Sequence, residues 1–558
     1  MNIEHRQLLG KYFKSVIILL ISFAFSIGYI SAQSNIDESS VILTTEKNFY
    51  VIGETIGLKV VIPRSDFNNI YKKEYVYCDL ISQEGQIKDA IKLELSNGSG
   101  KGQIKIPRVL KSGYYIIRAY TRQMRSKPES YSFVEIKIIN IENEQTLGFG
   151  SNHYIKLIPE PIIENKEISV KGLLNKYSKR EVIDINIEID TSNVNKKSVS
   201  VSVIPKLTFS SNNNNVEVVK DIPIDSNFIF NEDAGFTLTG IIKHTDSAYT
   251  VSGKRLFISV LGTKEVRTAI SDSLGFFFVS MPSIYNNHEV YISTDTVDRN
   301  ARIIIIKDND NYSNYQLNKI IRITDQEKDL ALLLSQNIAI KNSFLKSDTA
   351  HSIQNNPIPF YDKPDRVTTI MDYVDMPTLT MYFTEVPNGA HLYKRKNKTK
   401  VRIYDKNEIP LVLDPLIMVD YVAINDLDPI LSISPKSMNR IEVVNQYYQL
   451  GDAVFGGIIN FITNNNDFGG LDFASSSLVI NYSFLNEYKA FDNGVFDVNL
   501  SVPDTRTTLY WNPEPKIVDG NIKVECRASD VALTYSIVVK GINKDGKEFY
   551  FTQDFIVE

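Results

Sequence analysis

Residues 410–464 leave few folds open. Leu411-Val412-Leu413 and Leu416-Ile417-Met418-Val419 are β-rich and end at Asp420. After a polar turn comes Pro429-Ile430-Leu431-Ser432-Ile433, and Ser434-Pro435 reads as an N-cap with proline at the first helical position. Arg440-Ile441-Glu442-Val443-Val444 predicts a strand, followed by Tyr447, Tyr448 and Gly451. The pair Gly456-Gly457 then opens a last β-rich run, Ile458-Ile459-Asn460-Phe461-Ile462-Thr463. Strand, Asp, short helix, strand, glycine turn, strand is the order of a compact α/β unit. Two glycines entering a buried strand also predict a positive φ or a close backbone approach.

This order resembles the plug domain of TonB-dependent outer-membrane receptors, in which a "VLVDG" strand, an "IERIEVLKG" strand and a "GGVINIIT" strand recur. Asp420, Gly451, Gly456, Gly457 and Asn460 are the positions that carry the likeness. Tyr421 stands where the family pattern has glycine, and the segment from Gly451 to Phe455 is shorter than in a full receptor. With its lead-in segment the plug-like domain is expected over residues 366–470. The resemblance implies an outer-membrane protein or a component of the TonB system as partner. It does not imply a pore: the residues after Asn464 are too few for a barrel of roughly 22 strands, so no membrane barrel is expected within this sequence.

Lys11 and Lys14 precede an apolar run from Ser15 to Ile30, and Ser31-Ala32-Gln33 supplies small residues for cleavage. These features predict a secretory signal over residues 1–32, with an uncleaved membrane anchor as the alternative. The exported protein is then expected in the periplasm or at the outer membrane, peripheral to the bilayer. With 30 Tyr, 28 Phe and one Trp, the composition favours strands. A net charge of −5 argues against a general nucleic-acid binder. Cys78 and Cys526 lie near opposite ends of the chain, and two separate buried thiols is the simpler reading of them.

The rest reads as tandem sandwiches, so the expected fold class is mainly β with one small α/β unit. Residues 36–142 hold Tyr50, the pair Gly53-Glu54, and a glycine turn feeding Tyr114-Tyr115-Ile116-Ile117-Arg118-Ala119. They resemble the second macroglobulin domain of the alpha-2-macroglobulin family. A second such sandwich is expected over 150–232, where Val182 to Ile189 and Ser198 to Val203 alternate. Its polar stretch from Ser210 to Asn215 reads as a solvated loop tip. Residues 235–308, with Asp272-Ser273-Leu274-Gly275-Phe276, resemble the carboxypeptidase regulatory-like domain that precedes many Bacteroidetes outer-membrane receptors. Residues 309–365 read as a helical linker. Thr324 and Glu327 fit a capping box there, and Leu330, Leu333, Leu334 and Ile338 share one face. The basic run from Lys394 to Lys400 reads as a solvated hairpin tip. A last sandwich over 475–558 holds the only Trp, Trp511, expected as a core residue, and again resembles a macroglobulin-type segment.

Chemistry-bearing patterns are absent. His5, His153, His244, His288, His351 and His391 are scattered, with no HExxH, GxSxG, Walker loop or CxxC. Asn425-Asp426-Leu427-Asp428 reads as a plain surface turn, because a calcium site needs more oxygen ligands. Neither cysteine lies in the Gly-Cys-Gly-Glu-Gln thioester of macroglobulin inhibitors. No catalytic residue, cofactor or metal is therefore expected. The leading reading is a non-enzymatic envelope binding or scaffold protein, accessory to TonB-dependent transport. The alternative is a macroglobulin-like protease-interacting protein without a thioester, with residues 309–314 and 349–356 as candidate bait segments.

Overall fold

The computed structural model describes residues 41–558 apart from 63–73, 144, 148–154, 219–228, 231, 233, 247–248, 250, 296–299, 310–314, 317–320, 345–356, 387, 473–476, 495–501 and 545. The expected signal segment, residues 1–32, lies outside the described residues.

The first sandwich sets the sheet Phe49–Val51, Ser132–Ile139, Gly113–Tyr120, Glu74–Ser82, Ile87–Leu95, in that spatial order, against Ile42–Thr45, Thr55–Val61 and Ser99–Lys105. Its core is Leu58, Val60, Val76, Leu80, Ile104, Ile117 and their neighbours. Glu74–Ser82 is buried along both faces. Its outward Tyr75 packs with Phe236 of another sandwich, so this sheet is covered rather than solvated.

The expected sandwiches over 150–232 and 475–558 are one domain. Val182–Glu188 pairs antiparallel with Asn521–Arg527, and Ser200–Pro205 pairs with both Tyr510–Asn512 and Thr534–Ile542. Ile183, Ile185 and Ile187 form a single apolar face. That face needs Ile522, Val524, Tyr535, Ile537 and Val539 to cover it, and neither segment alone has enough strands to do so. The long insertion between the halves costs little, because closure entropy grows only slowly with loop length. The third sandwich, expected over 235–308, is likewise completed from afar. Leu478–Ser483 joins the edge of its sheet by pairing with Asn287–Thr294. The domains are therefore nested: an α/β unit interrupts the third sandwich, and both interrupt the second. The expected loop tip at Ser210 to Asn215 is also different, since Asn212–Val218 is a strand paired with Ile155–Pro161.

The α-helix Asp325–Phe344 occupies the expected linker. Its capping box closes as predicted: Thr324 N–H donates to Glu327 Oε2 at 2.8 Å, and Glu327 N–H donates to Thr324 Oγ1 at 3.2 Å. Leu330, Ala331 and Leu334 bury against Phe49, Val51 and Ile139 of the first sandwich. No helix among the described residues is long and apolar enough to cross a membrane.

The α/β unit carries a five-stranded sheet in the order Arg366–Thr369, Met438–Val444, Ile458–Thr463, Leu416–Val419, Val422–Ala423. Both faces are covered, so its strands read as continuous apolar runs. Along Leu416–Val419 and Ile458–Thr463, alternate residues face opposite ways. Leu416, Met418, Ile458 and Ile462 pack toward the third sandwich, with Phe257 and Val266. Val419, Ile459 and Phe461 pack beneath the helices Leu379–Glu385 and Leu427–Leu431. Two local readings change. Leu411-Val412-Leu413 forms no strand, and Val412 is 74% exposed. The short helix begins earlier than Ser434, because Asp426 caps it by accepting from Asp428 N–H. Ser434 makes no side-chain cap and precedes only a short 3-10 turn.

Candidate functional site: the cleft between sandwich and α/β unit

Asp420 and Tyr421 form a two-residue turn joining Val419 to its antiparallel partner Val422. Both have positive φ, 47° and 67°, which is the backbone of a type I′ hairpin turn. Glycine normally eases the second position, and Tyr421 occupies it here. Asp420 holds the turn against the neighbouring strand. Its carboxylate accepts from Thr463 N–H at 2.8 Å, Thr463 Oγ1–H at 2.6 Å and Phe468 N–H at 2.9 Å. Burial raises its pKa, and the Thr463 bonds oppose that shift.

Asn460, on the central strand, supports the same turn from beneath. Its Oδ1 accepts from Tyr421 N–H at 3.3 Å and its Nδ2 donates to Tyr361 Oη at 2.9 Å. The Tyr361 hydroxyl donates to Glu442 Oε2 at 2.5 Å, and Arg440 Nε donates to Glu442 Oε1 at 2.8 Å. Glu442 and Asn460 are thus polar side chains buried on the sandwich-facing side of these strands, and each has its partners. Burial first, and then the Glu442 charge, push the Tyr361 phenol well above its usual range.

The three glycines act as backbone devices. Gly457 has φ +88°, and a Cβ there would lie 2.4 Å from the Val444 carbonyl oxygen. A Cβ on Gly456 would lie 2.0 Å from the Leu413 carbonyl oxygen. Gly451 (φ +60°) turns the small hairpin Tyr448–Leu450 to Ala453–Phe455 and abuts Thr268 of the third sandwich. Asp420, Asn460, Gly456 and Gly457 therefore lie in one sheet region, whereas Gly451 serves the seam with the sandwich. That seam is fastened by Thr268 Oγ1 donating to Leu450 O at 3.0 Å and Ala423 N–H donating to Ser259 Oγ at 3.2 Å. Asn425 Nδ2 also donates to Thr294 O, and Arg255 pairs with Asp452 at 3.1 Å.

Beside this seam opens a cleft of about 810 Å³. Lys264 and Glu289 reach it from the sandwich, and Tyr421, Asn439, Arg440 and Asn464 from the α/β unit. Lys264 Nζ stands 4.8 Å from the Tyr421 ring centroid, and Arg440 Nη2 lies 3.4 Å from the Tyr421 hydroxyl. Sequence reading missed Lys264 and Arg440: they are far apart along the chain, and only the packing of two domains brings them together. Cys78 and Cys526 are free and buried, as the simpler reading had it. Burial pushes the Cys526 thiol up to about 12 and raises that of Cys78 strongly. Among the described residues, no group of three acidic, His or Cys side chains is placed to hold a metal ion.

No protein-family model and no curated protein matches this chain. Among solved structures, it is similar to the native conformation of alpha-2-macroglobulin from E. coli, at 9% identity and TM-score 0.23, covering 93% of this chain and 40% of that one. The trypsin-activated E. coli protein gives 10% identity and TM-score 0.21 over 93% and 41%. Salmonella alpha-2-macroglobulin reacted with methylamine gives 8% and 0.21 over 93% and 39%. The chain spans about two fifths of these structures. Likeness at such TM-scores is too slight to bear on residue roles. The mainly β, tandem-sandwich fold rests on the strand pairing itself.

Proposed function

We propose that this is a non-enzymatic cell-envelope binding or scaffold protein, accessory to TonB-dependent outer-membrane transport. In this reading the plug-like α/β unit is a docking module rather than a gate. The observation that carries it is how the unit is held. One face of its sheet is fastened to the third sandwich, while the edge strand Arg366–Thr369 lies at the side of the sheet away from Val422–Ala423. Beyond that edge, Met371 is 85% and Val374 84% exposed, with Val367 and Tyr373 also outward. A cluster of exposed apolar side chains beside an edge strand is a surface suited to a protein partner. A unit seated this firmly is poorly suited to moving as a gate.

The alternative is a thioester-free protease-interacting protein. Its candidate bait segments, residues 309–314 and 349–356, lie almost wholly outside the described residues. The test is purification without detergent, planar-bilayer recording and native pull-down from outer membranes. The proposal requires soluble protein, no conductance and a co-purifying outer-membrane partner. Single-channel conductance from the pure protein would overturn it.

A further inference from the structure

We propose that the two-stranded ribbon Ala390–Arg395 and Lys398–Ile403 of the α/β unit is a membrane-contact surface, its basic tip lying against the phosphates of anionic lipid headgroups. The register sets His391 opposite Arg402, Tyr393 opposite Lys400 and Arg395 opposite Lys398. The other face, with Ala390, Leu392, Val401 and Ile403, packs into the core of the α/β unit. Alternation therefore turns the three pairs to the open face, where Arg395 and Lys398 stand as like charges directly across the ribbon. Such a pair disfavours the hairpin by itself, and an anionic surface would relieve it. Lys396 and Asn397 close the ribbon with φ of 50° and 61°, the backbone of a tight two-residue hairpin turn. Lys394, Arg395, Lys396, Lys398 and Lys400 are thereby gathered within about 10 Å of ribbon length at one projecting end.

The charges at this end do not balance. Asp426 pairs with Lys398 at 3.1 Å, Asp414 pairs with Lys400 at 3.4 Å, and Asp428 accepts from Thr399 N–H at 3.3 Å. The side chains of Lys394, Arg395 and Lys396 are exposed, and none has an ionic or hydrogen-bonding partner among the described residues. These five cations thus outnumber the carboxylates that touch the tip. Asp405 and Glu408 belong to the turn that follows the base of the ribbon. Base and tip lie about 17–20 Å apart, farther than the roughly 8–10 Å over which surface charges act through physiological salt. Although the whole chain carries a net charge of −5, a surface approaching the tip meets a positive field.

The side chains at the tip also select the partner. A protein interface is anchored by aromatic or aliphatic side chains that fill pockets. Here the apolar residues of the ribbon face inward. The Tyr393 ring is covered by the Arg402 guanidinium at 5.1 Å, and Arg402 Nη2 donates to its hydroxyl at 3.2 Å. The tip cations other than Arg395 are lysines, compact hydrated charges suited to a diffuse field rather than to bidentate recognition of one group. A projecting tip of this composition fits the spread negative charge of a lipid surface, where each cation strengthens binding about fivefold.

The experiment is co-sedimentation of the full chain with vesicles of phosphatidylcholine, and with vesicles of phosphatidylcholine and phosphatidylglycerol in equal parts. Any partitioning by the apolar run from Ser15 to Ile30 is common to both, so the readout is the difference. The mixed vesicles are expected to bind more protein, with the difference shrinking as salt rises. Combining Lys394→Gln, Arg395→Gln and Lys396→Gln should weaken binding to the mixed vesicles more than about tenfold, at an unchanged melting curve because all three side chains are exposed and unpaired. Lys406→Gln, beyond the base of the ribbon, should leave binding unchanged. Asp426→Asn keeps an acceptor for Asp428 N–H and so keeps the helix cap. It frees Lys398 and should tighten binding several-fold. Equal binding to the two vesicles, a wild-type difference in the triple variant, an equal loss in Lys406→Gln, or no gain in Asp426→Asn overturns the assignment. Soluble polyglutamate bound as tightly as the mixed vesicles would assign the tip to an acidic protein and overturn the lipid reading. No outer-membrane protein enters these readouts, so the docking role stands or falls separately.

Discussion

Replacing Gly457 by Ala separates two physical costs that the Gly456-Gly457 turn combines. The first is backbone conformation. Gly457 sits at φ +88°, and an L-residue in the left-handed region loses about 1–2 kcal/mol. The second is contact. The new Cβ would lie 2.4 Å from the Val444 carbonyl oxygen and 2.9 Å from Ile403 Cδ1. The oxygen belongs to the adjacent strand and cannot swing aside as a side chain can, so a strand shift of about 1–3 kcal/mol is added. The total expected for Gly457→Ala is about 2–5 kcal/mol. Two further glycines isolate the parts. Gly470 has φ +78° with nothing within 4 Å of its would-be Cβ, so Gly470→Ala carries only the conformational cost. At Gly456 the φ is not positive but a Cβ would meet the Leu413 carbonyl oxygen at 2.0 Å, so Gly456→Ala carries only the contact cost. Trp511 lies in the second sandwich, away from this unit, and its fluorescence would not report the loss. Hydrogen exchange of amides in Ile458–Thr463 does, because it reads local opening free energy. Equal protection in the Gly457→Ala and Gly470→Ala variants would rule out the contact cost, and wild-type protection in both would rule out both costs.

Trp511 is 5% exposed, and a Cβ on Gly57 of the first sandwich would lie 2.6 Å from its Nε1. Its emission should therefore be blue-shifted in the native state and move toward the red in Gly57→Ala; identical spectra would mean the two sandwiches do not meet there. Arg122 donates to the Tyr77 hydroxyl at 3.0 Å and Thr237 O at 2.9 Å and pairs with Asp308 and Glu232, joining the first and third sandwiches. Arg122→Met leaves those carboxylates short of a buried partner and should cost about 3–5 kcal/mol in urea unfolding; a loss below about 1 kcal/mol would contradict this. Burial raises the Glu46 pKa from 4.5 to about 8. The folded state therefore keeps a proton that the unfolded state releases, and this stabilising contribution is complete below about pH 4.5 and is lost as the pH rises through about 8. Glu46→Gln should flatten that decline in thermal unfolding between pH 5 and 9, and parallel wild-type and variant profiles would rule it out.

What the sequence made legible was local. The alternation from Val182, the reciprocal cap of Thr324 and Glu327, and the tip between Arg395 and Lys398 are each written within a few residues, and each is found where expected. Nesting leaves no such trace. Ser200–Pro205 pairs with Thr534–Ile542, and nothing near either strand names the other. The same holds for Leu478–Ser483, whose partner lies on the far side of the α/β unit. Leu411-Val412-Leu413 is apolar without being buried: Val412 and Leu413 face outward. The glycine pair was readable because only a backbone constraint explains it. The cleft was not, because Lys264 and Arg440 are unremarkable until two domains close around Tyr421.

Docking through the α/β unit is tested most directly by measuring how much outer-membrane protein co-purifies with wild type and with Met371→Asp combined with Val374→Asp. Both residues are more than four-fifths exposed, so the double variant should keep native hydrogen exchange in Ile458–Thr463. Co-purification is expected to be lost in that intact variant. Undiminished co-purification, with the α/β unit still folded, would contradict it.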